Sequence, residues 1–445
     1  MHVELPITGK ALTELWGKHM QALPDIESNK KYVEGKNDYV LEKAPQKAPD
    51  NRVPIPWAKT AVEDLSGYAA SPGYISESFP RGDGEEPEND EYIDAMAKVY
   101  EYNRTKLLNT ELYEASLSYG VAYELHYTST KLDEFTLTPE YTIVDNTQLQ
   151  LVYSDSLKPE LLAAIHWKGS DKANIYYPGY WEQWRRGTGG WVLYREDGVE
   201  YTYPYQRVPV AVYPINRRRK PVFEAEKSII DGHDVLISNS LNEIDRFNAL
   251  IALFPGKVDK QFVDKLHELK VIQDLAEYDR WPEYLEKSLQ NIDEFYNNLA
   301  DRLERQFHKS IKIPDMSDDS FAGQNTSGVA IAYKILGMEF KAALVDSYFD
   351  TGLQTRFDLV NDVMQVNMNV NPDDYTLEVK HQRNIPADRA TLVDIALKLY
   401  PIVSLETVLR MLPEELIPDV ERELSRIEEE RQESGDVLGM DNGDI

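Results

Sequence analysis

Between Tyr92 and Ser118 the apolar residues Ile93, Met96, Val99, Tyr100, Leu107, Leu108, Leu112 and Leu117 recur at intervals near three and four. That period predicts a helix with one buried face, closed by Tyr119-Gly120. From Val121 to Tyr213 the pattern changes to short runs of Val, Ile, Tyr, Thr and Trp, separated by Asp-Asn, Pro-Gly, Thr-Gly-Gly and Asp-Gly turns. This predicts antiparallel sheet. Upstream, residues 10–33 read as a short amphipathic helix followed by a polar helix or loop. Residues 44–56 carry too many prolines for helix or central strand and read as an extended linker or arm. Residues 78–91 read as an acidic surface loop in which Arg81-Gly82-Asp83 is a chance triplet.

From residue 226 onward the chain is mainly helical. Ile230, Ile237, Leu241, Ile244, Leu250 and Ile251 mark one long helix closed by Pro255-Gly256. A second carries Leu285, Leu289, Ile292, Phe295, Leu299, Leu303 and Phe307 and ends before Pro314. The insert between them has mixed character, with a strand at Val271-Ile272. A polar loop, Ile313 to Asn325, leads to Thr326 or Ser327 as N-cap of a long helix through Val329, Tyr333, Leu336, Phe340, Leu344 and Tyr348 to Val366. A strand at Tyr375–Gln382 follows, then a helix from Pro386-Ala387-Asp388 to Leu399. Further short helices start at Ser404 and Pro413, a solvated helix covers 419–433, and 434–445 reads as a disordered tail. The fold class is α+β.

Composition narrows the chemistry. The chain has 445 residues, with Lys+Arg 48 against Asp+Glu 77 and a formal charge of −29. The surplus opposes tight wrapping of nucleic acid, which depends on Lys and Arg neutralising phosphates. Cys is absent, which excludes disulfides, thiol nucleophiles and thiolate-bound metal. No apolar run approaches the ~18 residues of a membrane span, and the N-terminus lacks signal-peptide character. A soluble protein made in a cytoplasm is the expectation.

No catalytic residue, metal ligand or cofactor site is assigned from sequence. No Gly-Lys pair is followed by Ser or Thr as in a P-loop, and no Gly-x-Ser-x-Gly elbow occurs. The eight histidines are scattered without HExxH or HxH spacing, and structural or surface roles are expected for each. The acidic pairs Asp318-Asp319, Glu85-Glu86 and Asp373-Asp374 read as solvated faces, because adjacent side chains diverge on helix and strand alike. The aromatics Tyr176, Tyr177, Tyr180, Trp181, Trp184, Trp191, Tyr194, Tyr201, Tyr203 and Tyr205 read as sheet packing rather than a base-stacking platform. Arg217-Arg218-Arg219-Lys220 reads as a solvated turn rather than a phosphate contact.

Several strings, in order, resemble the portal proteins of tailed double-stranded DNA phages of the siphophage type. They are Asn51-Arg52-Val53-Pro54-Ile55-Pro56-Trp57-Ala58-Lys59-Thr60 with Gly67-Tyr68; Glu114 to Glu124; Val208-Pro209-Val210; Ile230-Asp231 with Ser238, Ser240 and Asn242; and Ile313-Pro314-Asp315 leading to Ser327-Gly328-Val329-Ala330. The resemblance implies a portal fold: N-terminal arm and mixed α/β wing over 1–225, stem helices at 226–252 and 285–311, and a small α/β clip at 253–284. A tunnel loop would follow at 312–327, a long helix and wing return at 328–386, a helical crown at 387–433, and the tail.

The same resemblance implies a non-enzymatic, cyclic homo-oligomer of about a dozen subunits around a DNA channel. It would sit at one capsid vertex of the virion after assembly in the host cytoplasm. It would nucleate the procapsid with scaffolding and major capsid proteins, dock the terminase large subunit for packaging, and dock a head-completion adaptor before ejection. Double-stranded DNA would be touched weakly and without sequence specificity by Lys309, Lys312, Ser320, Gly323, Gln324, Asn325 and Thr326. Lys257, Lys270 and Trp281 would belong to the clip docking surface, and Leu241, Ile244, Leu299 and Leu303 to ring packing. The alternatives are a carboxylate-based, metal-dependent nucleic-acid-processing enzyme and another structural virion protein.

Overall fold

The computed structural model describes residues 5–42, 50–71, 74–80, 91–132, 135–195, 201–247, 252–253, 283–284, 289–316, 328–368 and 375–384, with 396, 398–400, 402–410, 412, 417, 420 and 422–427. The chain divides into two compact units, residues 1–318 with 334–384, and residues 319–333 with 385–445.

The first unit begins with helix α1 (Gly9–Val33), N-capped by the Thr8 side chain, then α2 (Asp38–Glu42) and α3 (Trp57–Ala69). The polar half of α1 stays helical to Val33. Strand β1 (Tyr74–Pro80) occupies the start of the predicted acidic loop, so Ser78, Phe79 and Pro80 are strand rather than loop. The Arg81-Gly82-Asp83 triplet lies outside the described residues.

The single helix predicted from Tyr92 is two, α4 (Glu91–Tyr102) and α5 (Thr105–Tyr119). Arg104 adopts φ 51 between them. Asn103 makes the break stable: its Nδ2 donates to the carbonyls of Val99 (2.8 Å) and Pro139 (3.0 Å), and its Oδ1 accepts from the Tyr141 amide (3.2 Å). These bonds replace the helical ladder. Gly120 ends α5 as predicted, with φ 85. A Cβ there would lie 2.3 Å from the Arg219 carbonyl carbon.

The predicted antiparallel region forms two sheets. Strands β2 (Val121–Ser129), β3 (Thr138–Val144) and β10 (Val210–Pro214) make a three-stranded sheet in the order β10-β2-β3. Strands β4 (Leu149–Tyr153), β5 (Leu161–Trp167), β6 (Lys172–Tyr177), β7 (Tyr180–Gly187) and β8 (Gly190–Tyr194) form a meander, with β9 (Tyr201–Thr202) also paired to β7. Alternation sorts the meander's two faces. Ile165, Trp167, Ala173, Ile175, Tyr177, Trp184 and Trp191 meet Leu12 and Leu15 of α1. On the other face Leu149 and Ala164 meet Leu125, Val144, Val208 and Val210 of the three-stranded sheet.

Further on come α6 (Lys227–Phe247), the short strands β11 (Ala252–Leu253) and β12 (Glu283–Tyr284), α7 (Leu289–Ile311), α8 (Gly328–Asn367) and β13 (Tyr375–His381). Strand β13 pairs antiparallel with β1, Tyr74 opposite His381 through Pro80 opposite Tyr375. The predicted long helix runs to Asn367. Along its second half Phe357, Val360 and Met364 pack on Tyr92, Met96, Val99 and Tyr141, and Leu359 and Val363 on Tyr205.

A buried ion pair ties α8 to the three-stranded sheet. Arg356 Nε donates to both oxygens of Glu124 (3.0 and 3.1 Å), its Nη2 to Glu124 Oε2, and its Nη1 to Asn109. His126 Nε2 (2.8 Å) and the Tyr213 hydroxyl (3.2 Å) also donate to Glu124 Oε1. Burial alone would raise this carboxyl, but the guanidinium and imidazole outweigh it and hold it at about 2. Burial likewise pushes the His126 imidazole below its usual range. Gly352 makes room for Tyr213: a Cβ there would sit 2.3 Å from the ring.

In the second unit, α9 (Leu405–Arg410) starts at Ser404, whose Oγ accepts from the Thr407 amide, as its start signal predicts. Val408 and Leu409 are buried. Residues 411, 413–416, 418–419, 421 and 428–445, with most of the helix predicted after Pro386, lie outside the described residues. Among the described residues no helix is long and apolar enough to cross a membrane.

Candidate functional site

Helices α6 and α7 pack against each other. The antiparallel pairing of Ala252 with Tyr284 and Leu253 with Glu283 closes the base of the insert between them. The apolar stripe that predicts each helix is only partly covered. Phe307 and Ile311 are buried and Leu299 and Leu303 half-buried, whereas Leu241 and Ile244 are exposed and Phe295 is 61% exposed.

The arm lies along α6. Its alternate amides donate to α6 side chains four residues apart: Asn51 to Asn242 Oδ1 (2.6 Å), Val53 to Ser238 Oγ (3.0 Å) and Ile55 to Asp234 Oδ1 (2.9 Å). The match is geometric, because four helical residues rise about 6 Å and two extended residues advance about 6.6 Å. Asn37 Nδ2 donates to Asp234 Oδ2 (3.0 Å) and Asp231 Oδ1 (3.2 Å), and the Tyr32 hydroxyl donates to Asp231 (2.8 Å). Burial and then the Asp231 carboxylate raise the Tyr32 phenol well above its usual range. Past the arm, Trp57 stacks on His233 of α6 (centroids 4.0 Å apart) and on Phe307 of α7 (5.0 Å). The arm string therefore joins the two helices.

At the end of α7 the chain turns at Lys312, which has φ 62. Lys309 and Lys312 are both exposed. Lys341 of α8 donates from Nζ to the Ile311 carbonyl (2.7 Å), one of the helix-end acceptors without an intrahelical partner. Burial brings its ammonium down to about 8, against the pull of Glu226. His308 Nδ1 bonds the Ile313 carbonyl (2.9 Å). Here the turn gathers Glu304, His308 and Asp315, a convergence the sequence reading missed. Its legible trace is an acid and an imidazole four apart on one helix face, then an acid just past the helix end.

Ser320, Gly323, Gln324, Asn325 and Thr326 lie outside the described residues, as do Lys257, Lys270 and Trp281. Of the other motifs, Asn216 closes the basic turn on itself through Lys220 O (2.7 Å), and Arg219 lies over Tyr153. Trp181 has Tyr201 stacked at 4.2 Å and Tyr176 at 6.1 Å, so neighbouring aromatic rings occupy its surroundings.

Residues 12–436 match the model of a family described as phage portal protein, SPP1 Gp6-like. No curated protein matches the chain. Among solved structures, one described as the neck of an empty GTA particle computed with C6 symmetry is similar at 13% identity and a TM-score of 0.41, covering 80% of this chain and 89% of that one. The family match spans α1, the arm, both sheets, the α6–α7 pair and α8, and the chain belongs to the SPP1 Gp6-like family of phage portal proteins.

Proposed function

We propose that this chain is one subunit of a ring-shaped channel at a single capsid vertex, through which double-stranded DNA is packaged and later ejected. The family match over residues 12–436 carries the reading. In it, α6 and α7 are the stem, the insert from 253 to 284 is the clip, and 312–327 is the tunnel loop. Residues 1–225 with 328–386 form the wing, and 387–433 the crown. The ring is a homododecamer, a closed heterologous assembly in which each copy offers two different faces. The exposed Leu241, Ile244 and Phe295 support a subunit contact along the stem.

The charge of −29 fits a conduit. Attractive walls would trap a sliding polyanion, while acidic ones keep it centred and leave contact to a few groups such as Lys309 and Lys312. Terminase would dock during packaging and a head-completion protein afterwards, both at the clip, where Lys257, Lys270 and Trp281 lie. Scaffolding and major capsid proteins would meet the ring during assembly. Light scattering with negative-stain imaging over a concentration series tests the reading. Closed rings with a hole wide enough for duplex DNA are expected. Particles that stay monomeric or dimeric with scaffolding protein present would overturn it.

A further inference from the structure

We propose that Glu304, His308 and Asp315 form a site for one divalent cation of the zinc class, which ties the chain leaving α7 back onto the helix's last turns. One donor atom from each residue lies within 4.8 Å of the others. Donors bound about 2.1 Å from one ion stand roughly 3.0–3.4 Å apart, so closure needs side-chain movement of less than about 2 Å.

Three features of the fold make the convergence. Glu304 and His308 are four apart on α7 and so share a face. The left-handed Lys312 turns the chain, and buried Ile313 anchors the returning segment, which brings Asp315 to that face. The bond from His308 to Ile313 sets the tautomer: a carbonyl only accepts, so Nδ1 carries the proton and Nε2 keeps the lone pair a metal takes. An imidazole held through its other nitrogen by a backbone carbonyl is the usual state of a metal-binding histidine.

Both signs of charge surround the site, since Lys309 and Lys312 lie on the same turn. The site lies in the last turns of α7, where the helix presents the negative end of its dipole. Asp64 of α3 lies within electrostatic reach of both His308 and Asp315. One nitrogen and two carboxylates suit Zn²⁺, with Mn²⁺ second. Ca²⁺ and Mg²⁺ prefer all-oxygen shells of higher coordination number. All three residues are half-buried, which leaves the remaining positions to water.

The test uses the purified full-length chain, titrated separately with ZnCl₂, MnCl₂, MgCl₂ and CaCl₂, reading the thermal midpoint and metal retained after dialysis. Zn²⁺ should raise the midpoint saturably and remain at one per chain, with Mn²⁺ weaker and Mg²⁺ and Ca²⁺ inert at equal concentration. His308→Asn keeps a donor near the Nδ1 position but has no Nε2, and Glu304→Gln keeps the shape without the charge. Each should weaken Zn²⁺ binding by roughly tenfold or more, of the order seen when a zinc site's shell is disturbed, and leave the metal-free midpoint unchanged. No saturable response to Zn²⁺ or Mn²⁺, or equal binding by both variants and the parent chain, overturns the proposal. The readout is independent of ring assembly.

Discussion

The Val53 amide donates to the Ser238 hydroxyl across 3.0 Å, the middle rung of a ladder between an extended segment and a helix. Ser238 also donates to the Asp234 carbonyl at 2.6 Å, so its hydroxyl is used in both directions. Ser238→Ala should cost about 1 kcal/mol and speed amide exchange at Val53 more than at α6 amides, read by native-state hydrogen exchange. Asp234→Ala removes the partner of both Ile55 and Asn37 and should cost more, about 3 kcal/mol. Equal exchange at Val53 in Ser238→Ala and the parent would show that the rung carries no stability.

How much of this was legible in the sequence depends on what each residue answers to. The ends of α8 and the 3.6-residue stripes of α6 and α7 follow from local periodicity, although α6 ends at Phe247 and Ala252 is strand where helix to 252 is expected. So does the sheet region, because turn chemistry and alternation are local too. The break at Asn103 is not local, since it is held by Pro139 and Tyr141 of another strand. The arm reads as linker because its partners Asp234, Ser238 and Asn242 lie some 180 to 190 residues downstream. Asp315 and His308 likewise meet only once the turn at Lys312 is known.

Arg356→Met should destabilise the chain by about 3–5 kcal/mol, because it leaves the Glu124 carboxylate buried without its cation. The double variant Arg356→Met with Glu124→Met should recover most of that loss. Denaturant unfolding of the two singles and the double gives the coupling directly. A double variant as unstable as the sum of the singles would contradict the pairing.

Acid should weaken the fold in two stages. His19, His126 and His166 are all pushed below 6.5, chiefly by burial, so the unfolded chain takes up protons first and stability falls below pH 6.5. Glu124, at about 2 against 4.5 in the open chain, adds stability that is complete above 4.5 and lost as pH falls toward 2. Asp346 and Asp362 act oppositely: burial raises them, so the folded chain keeps protons there and they cost stability as pH rises past 3.8. Midpoints measured from pH 8 to 3 should show both stages, and the Met/Met double variant should weaken the lower one, to which Glu140 and Glu339, also held below the usual carboxylate range, still contribute.

Gly352→Ala places a methyl 2.3 Å from Tyr213 Cδ1, inside a core already closed by Phe349. Overpacking of this kind costs about 1–3 kcal/mol. Thermal unfolding should show the drop, and Gly352→Ala with Tyr213→Leu should restore part of it by making room.

Leu299→Asp puts a charge on the half-buried face of α7 beside the exposed row. The proposed ring should then fail to close while the far-ultraviolet spectrum stays that of the parent chain. Sedimentation shows this as a shift to small species. A normal ring from Leu299→Asp would remove α7 from the subunit contact.

The pairing of Glu124 with Arg356 also sets a clock on biosynthesis. The two are 232 positions apart, so at common translation rates the acid leaves the ribosome roughly 10–50 s before its cation. In that interval the three-stranded sheet holds a carboxylate with no countercharge and lacks the helix that covers it. β1, too, waits for β13. The nascent polypeptide must therefore remain soluble without its finished interior, and a chain ending before position 356 lacks the cation that its buried acid needs.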